Sequence, residues 1–589
     1  MDAGSQPRPE NPRPDFAREP WVNLNGEWGF QFDDYDFGET QEWQKLDALE
    51  DKITVPFPYQ SKLSGVGDES FHDVVWYKHV FKLPQSFSGK RVLLKFGAVD
   101  YEAKVWVNGK LVGVHKGGFT PFNFDVTEAV NPDDCNLLTL RALDTHGEQP
   151  RGKQASSLHP SGCLYMRVTG IWQTVWLEAV GKAYVKSFRV YPNLAGKSVK
   201  LQGEVTEIRE KAAVKADAYF TEFNVGSAEA ELQGSEFALE LPLDYVRTWS
   251  PQAPDLYELG LTLKGDGETL DVVTSYFGMR EVSVKGERVN LNGEPVYLCM
   301  SLDQGYYPDG LYTAPSDNAL RSDVEAAKKL GLNGVRKHQM ASDPRYLYWC
   351  DKLGLLVWAE MADWGMPLKH REAFWEEWRG VIERDYNHPC IIAWVPFNER
   401  SSAYKEAGDS ETLAEVYRRT KALDPTRLVV DNSGYTHTET DIADIHDYTY
   451  DARVFRRNWM RWRGNGGDPP SPHRPLMVEG YRYQGQPVVI SEWGGWGLRD
   501  VKPVVKRPYM SYGKPLKDEF TFVSKYRDMV EAMLAEPLIA GFCYTQLYDV
   551  EGEVNGFLTY VRRWKIPAEA IAQIHERVKL KSHGLKAVT

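Results

Sequence analysis

Two of the chain's 83 acidic residues stand at the ends of long apolar runs: Glu399 in IIAWVPFNER (391–400) and Glu492 in PVVISEWGG (487–495). Two carboxyl groups brought to one mouth suit glycoside hydrolysis, in which one protonates the departing oxygen and the other attacks the anomeric carbon or activates water. Either glutamate alone is weak evidence, because most acidic side chains are solvated surface groups. The same kind of position is held by His338 in GVRKH (334–338), by His446 in ADIHDY (443–448), and by Asp303, which shortly follows VYLCMSL (296–302). The two histidines could contact sugar hydroxyls or be buried imidazoles satisfied by backbone. Asp303 could fork two hydroxyls or serve a loop. Trp493, beside Glu492, joins them as an expected substrate contact, since a flat apolar ring with a polar edge suits a sugar face.

These positions carry chemistry only if the runs before them are strands of one sheet. After residue 291 eight short apolar runs alternate with helical patterns: 296–302, 334–338, 355–361, 391–397, 427–432, 443–448, 487–493 and 539–546. Eight βα units over about 300 residues predict a TIM barrel, whose site lies at the C-terminal ends of its strands. Before them the chain reads as β structure only. From 21 to 180, alternating runs and the hairpin pair Asn108-Gly109 predict a jelly-roll β-sandwich. From 182 to 284, about 100 residues of alternating runs suit an immunoglobulin-like sandwich. The expected domains are 1–181, 182–284 and 285–589.

A net charge of −13 argues against nucleic acid or an anionic membrane as partner. Six cysteines without a C-x-x-C pair suggest neither a zinc site nor a disulfide framework. Phosphate loops, H-E-x-x-H and G-x-S-x-G are absent, so nucleotide, zinc-protease and serine-hydrolase chemistry lack support. No cofactor and no metal site are expected. The Pro-rich start lacks an apolar h-region, which favours the cytoplasm unless a leader has been trimmed.

The sequence resembles glycoside hydrolase family 2 over nearly its whole length. LNGEWGF (24–30), VWVNGKLVG (105–113) and TGIWQTVWLE (169–178) resemble the family's sugar-binding domain. FGMREV (277–282) with LNGEPVYL (291–298) resembles its entry to the barrel, and NHPCIIAWVPFNE (387–399) and PVVISEWGG (487–495) its two catalytic segments. The resemblance implies retention of anomeric configuration. It makes Glu492 the nucleophile, Glu399 the acid/base, and Asn398 the amide bonded to the sugar's 2-hydroxyl. Arg336 would hold the nucleophile ionised, and Tyr448, with Tyr450 as rival, would donate to it. Repulsion from Glu492 would keep Glu399 protonated.

Two departures bear on substrate. Met300-Ser301-Leu302-Asp303-Gln304 replaces the family's Asn-(Arg or Lys)-His-Glu stretch, and no barrel Asn is followed two residues later by the Lys with which family glucuronidases hold a uronate. Against this, RVFRRNWMRWR (453–463) sets five arginines among tryptophans, a possible anion site or simply a charged helix face. The reading is a retaining exo-glycosidase, a β-galactosidase first, with a uronide-cleaving enzyme or a furanosidase as alternatives and a carbohydrate-binding protein on a degenerate barrel as the non-enzyme rival. Its partner is a carbohydrate substrate, and a homo-oligomer is possible.

Overall fold

The computed structural model describes residues 6–582 apart from 146, 148, 208–210, 365–370, 401–406, 466, 473, 504, 506 and 507. The period-two alternation at the start of the chain folds into two antiparallel sheets. One orders Trp21–Asn23, Val175–Val180, Arg91–Phe96 and Phe122–Asp125. The other orders Asp51–Val55, Gly26–Phe32, Val74–Phe81, Asn136–Leu143, Glu102–Val107 and Lys110–Lys116. Leu94, Phe96 and Leu177 meet Trp28, Phe30, Tyr77 and Leu140 in the layer between them. At the predicted hairpin Asn108 and Gly109 have φ of 51° and 74°, the pair of positive values that a type I′ turn requires.

The second sandwich packs three strands, Val185–Asn193, Ser198–Val205 and Glu236–Pro242, against four: Phe223–Glu231, Ala212–Phe220, Tyr257–Gly265 and Glu268–Phe277. Its own core includes Val190, Leu201, Leu239, Val214, Leu261 and Val273.

All eight runs expected as barrel strands are strands: β1 Leu298–Asp303, β2 Gly334–Lys337, β3 Leu356–Glu360, β4 Ile391–Val395, β5 Leu428–Val429, β6 Ala443–His446, β7 Val488–Gly494 and β8 Ile539–Thr545. They form one sheet in the order β5-β4-β3-β2-β1-β8-β7-β6. Every pairing within it is parallel. The β1–β8 pair curls this sheet into the predicted barrel. Among the described residues the β5–β6 edge lacks a ladder and is bridged by side chains and by a backbone bond from Asp441 N to Val429 O at 2.9 Å. Asp444 on β6 accepts from the Ser433 hydroxyl and from Gly434 N at 3.0 Å, and Asp441 accepts from Val429 N at 2.8 Å.

Seven helices accompany the strands among the described residues: α1 Asp317–Lys329, α2 Pro344–Leu353, α3 Arg371–Asp385, α4 Ala407–Leu423, α5 Ala452–Asn465, α6 Glu519–Leu534 and α7 Ala568–Ser582. The unsettled periodicity at 316–331 resolves as α1. Ser316 caps its N-terminus by accepting from Ala319 N, lysines 328 and 329 occupy the last turn, and Leu320, Val324 and Ala327 face inward. The helix expected between β5 and β6 is missing, which corrects the count of eight βα units. Residues 430–442 are rich in Asp, Asn, Ser and Thr, whose side chains compete for backbone groups. Asp431, for example, accepts from Thr438 N at 2.7 Å and faces His437 Nδ1 at 2.7 Å.

The arginine-rich segment is α5, and Arg453, Arg456, Arg457, Arg461 and Arg463 are all exposed while Trp459 is buried against Phe455 and Trp462. It is a charged helix face, on which Arg453 pairs with Asp451 and Arg463 with Glu536. No described helix is long and apolar enough to cross a membrane.

One stretch of the N-terminal region leaves its own sandwich. Tyr165, Met166 and Val168 belong to the barrel's hydrophobic cluster. Gly152 N donates to Ala362 O at 2.9 Å, Met166 N to Glu551 at 2.9 Å, and the Tyr165 hydroxyl to Glu553.

Candidate active site

Strand alternation sends Arg336, one residue before the end of β2, into the barrel, where it is fully buried and organises its neighbours. Its Nε pairs with Glu360 at the end of β3. Its Nη1 reaches Glu492 Oε1 at 3.0 Å and the Ser491 carbonyl at 3.2 Å, and its Nη2 reaches Asn398 Oδ1 at 2.5 Å. One guanidinium thus ties together the ends of β3 and β7 and the segment after β4, as its planar fork of donors allows.

Glu492 lies on β7 beside a register shift between Ile490 and Trp493. Its Oε2 accepts from the Tyr448 hydroxyl at 2.6 Å, and Tyr448 also contacts Thr545 at 3.2 Å and stacks on Tyr512 at 4.1 Å. Tyr450, the rival, bonds instead toward Lys514 O at 3.4 Å. Burial pushes the Glu492 carboxyl up, but His446, Arg336, His338 and Lys153 outweigh it and hold the group well below the usual carboxylate range.

Glu399 follows β4 with φ of 52°, a left-handed conformation costly for a residue with a Cβ and held here by Glu399 N donating to Ser433 O at 2.9 Å. Its Oε1 lies 2.7 Å from His446 Nδ1, while His446 Nε2 lies 3.4 Å from Glu492 Oε1. One oxygen of Glu399 and one of Glu492 are within 4.8 Å of each other. Burial works against charge on His446, yet Glu492 and Glu399 raise its pKa. The sequence reading had only the repulsion between the two glutamates; the structure places an imidazole between them.

His338 is different. Its Nδ1 faces Glu360 Oε2 at 2.8 Å, whereas its Nε2 has no hydrogen-bond partner and stands 3.9 Å from Glu492 Oε1. Burial, with Lys153 and Arg336 nearby, keeps this ring neutral. Asn398 likewise spends its carbonyl on Arg336 and leaves its buried Nδ2 without a partner. These two donors or acceptors are free for a sugar.

Two expected contacts are corrected. Asp303 is fully buried with both oxygens taken, by Lys337 Nζ at 2.8 Å, by the Tyr346 hydroxyl at 2.7 Å and by the Tyr548 hydroxyl, so it ties β1 to its neighbours rather than awaiting hydroxyls. Trp493 points to the opposite side of β7 from Glu492 and packs against Tyr526, Phe542, Tyr544 and Trp496. Successive strand residues face opposite ways, and a ring next to an inward glutamate belongs to the layer under α6.

Two participants went unnamed in the sequence. Glu360 ends the apolar run LLVWAE just as Glu492 follows PVVIS, so the strand-end rule could have found it; burial raises its pKa to about 7, with Arg336 opposing. Lys153 has no such signal, because it lies in the first β region. Loss of the Tyr448 phenol tests the support of Glu492: a hydrogen bond to a charged group is worth about 1.5–3 kcal/mol, so Tyr448→Phe is expected to lower kcat/KM by roughly 10- to 150-fold with an unchanged melting temperature. A loss under twofold in steady-state kinetics would make the phenol a bystander.

Fold and site together define a barrel protein with a paired-carboxylate centre, preceded by two β-sandwiches. Family profiles agree along the chain: the glycosyl hydrolases family 2 sugar binding domain matches residues 21–146, the glycosyl hydrolases family 2 domain 183–280, and the family's TIM barrel domain 282–494. The chain belongs to glycosyl hydrolase family 2. It is 28% identical over 455 residues to a β-galactosidase of Thermoanaerobacter pseudethanolicus, covering 73% of this chain but 56% of that protein. It is 26% identical over 520 residues to the β-glucuronidase of Canis lupus familiaris, covering 80% and 77%. The fold is also that of a Ruminococcus gnavus β-glucuronidase solved with D-glucuronic acid, with a TM-score of 0.77 and 20% identity over 94% of this chain and 97% of that one.

Proposed function

We propose that the chain is a retaining exo-glycosidase that releases terminal β-galactosyl residues by double displacement, with Glu492 as nucleophile and Glu399 as acid/base. The observation that carries the reading is that one oxygen of each carboxylate lies within 4.8 Å of the other. That spacing suits the ~5–5.5 Å of retaining enzymes and leaves no room for the water that inverting enzymes hold across ~6.5–9.5 Å. The positive neighbours His446, Arg336 and Lys153 that keep Glu492 ionised supply the state a nucleophile needs. The leaving oxygen takes its proton from the Glu399–His446 pair, joined by a 2.7 Å hydrogen bond. Glu399 then draws a proton from water to cleave the glycosyl-enzyme. Asn398 Nδ2 and His338 Nε2 are the groups left free for hydroxyls of the bound sugar. The Thermoanaerobacter relative and the absence of a barrel Asn-x-Lys pair support galactosides over glucuronides.

A panel of nitrophenyl glycosides tests the proposal. The β-D-galactopyranoside is expected to be cleaved faster than the β-D-glucuronide and the α-L-arabinofuranoside, and proton NMR is expected to show β-galactose as first product. Folded protein that releases nitrophenol from none of them would favour the carbohydrate-binding alternative.

A further inference from the structure

Lys153 is a buried cation near the carboxylates that forms no ion pair among the described residues. It is 6% exposed. Its backbone is pinned at the barrel mouth, since Gly152 N donates to Ala362 O at 2.9 Å, and Tyr165 N to Lys153 O at 2.8 Å. No side chain could replace the hydrogen of Gly152, where a Cβ would stand 2.1 Å from Gln339 O. The Lys153 ammonium sits 5.6 Å from the centre of the Trp364 ring, just past β3, and among the described residues it makes no ion pair and no hydrogen bond. Arg336, by contrast, is spent on Glu360, Glu492 and Asn398.

A largely buried ammonium with no hydrogen-bond partner among the described residues has N–H donors to offer an oxygen that enters with a ligand. Burial works against its charge, but Glu553, Glu492 and Glu399 keep it charged.

Resting on the glycosidase reading above, we propose that Lys153, carried in from the N-terminal β region, is a substrate-binding residue that donates to hydroxyl oxygens of the terminal sugar. The N-terminal region then completes the sugar pocket rather than only flanking it. Lys153→Met keeps the length of the aliphatic stem and removes the donors.

Isothermal calorimetry with galacto-configured isofagomine reads the contact without turnover. Lys153→Met is expected to lose roughly 10- to 150-fold of the wild-type affinity, the worth of charged hydrogen bonds. In wild-type protein the same compound is also expected to protect Lys153 from acetylation by an N-hydroxysuccinimide ester, read by mass spectrometry, which needs no variant to fold. Equal affinity of the two proteins for it, or acetylation of Lys153 unaffected by it, overturns the contact and leaves the glycosidase reading intact. If the wild type does not bind it, the β-galactosidase reading fails and this inference with it.

Discussion

Glu492→Ala is expected to lower turnover by roughly 10⁴–10⁶-fold, the scale on which enzymes lose rate when a nucleophile is removed. Added azide is then expected to restore part of the rate and to yield the α-glycosyl azide, inverted relative to the substrate. The reason is spatial. Truncation leaves a space lined by Arg336, His446 and Tyr448, each of which touched the lost carboxylate, and a small anion entering it meets the same cations. It attacks from the face the carboxylate used, but no second displacement follows to invert the centre again. Melting curves must accompany the assay, because Arg336 loses one of its two carboxylate partners and a buried charge left with fewer partners destabilises a fold. A folded Glu492→Ala protein with near wild-type rate, or azide rescue giving the β-azide, would remove Glu492 from the nucleophile's role.

Glu399→Ala is expected to act according to the leaving group. General acid catalysis is commonly worth about 10²–10⁴ in rate, so the first step is expected to slow by that much for an alkyl or sugar aglycone and little for a dinitrophenolate, which needs no proton to depart. Pre-steady-state bursts with the activated glycoside then report an accumulating glycosyl-enzyme, since water is no longer deprotonated for the second step. His446 loses its 2.7 Å partner in the same variant and keeps the contacts of its Nε2 with Arg336 at 3.2 Å and with Glu492 and Ser433 at 3.4 Å. The raised pKa of His446 depends on both carboxylates. In Glu399→Ala its charged form is therefore less favoured, and the alkaline limb of the pH profile is expected to move to lower pH. An equal slowing of glycosylation for good and poor leaving groups would make Glu399 a binding residue.

The two substitutions also separate what position does from what charge does. Glu492 is fixed by three strands through Arg336, whereas Glu399 hangs on one backbone bond from Ser433 and one imidazole. The first arrangement suits a group that must hold its charge and place, the second a group that must gain and lose a proton during each cycle.

The amino-acid sequence by itself determined the elements and two of the candidate catalytic positions. Alternation at 21–180 and at 182–284 dictates sheets with one buried face, and eight bounded apolar runs dictate buried parallel strands, because each pattern satisfies backbone hydrogen bonds and apolar burial in only one way. Glu399 and Glu492 were legible because a polar residue closing such a run must sit at a strand end. Tertiary structure decided everything that depends on which way a side chain faces and what arrives from afar. Trp493 follows Glu492 in sequence yet faces the helix layer. Asp303 occupies the right strand end but is consumed by Lys337, Tyr346 and Tyr548, none of them its sequence neighbour. The helix absent after β5 was lost to local Asp and Thr bonds that a count of apolar runs does not register. Lys153 was invisible for the strongest reason: it stands 246 positions before Glu399 in the numbering and reaches the site only because the segment bearing it packs on the barrel mouth, a contact set by the docking of whole domains and not by any local pattern.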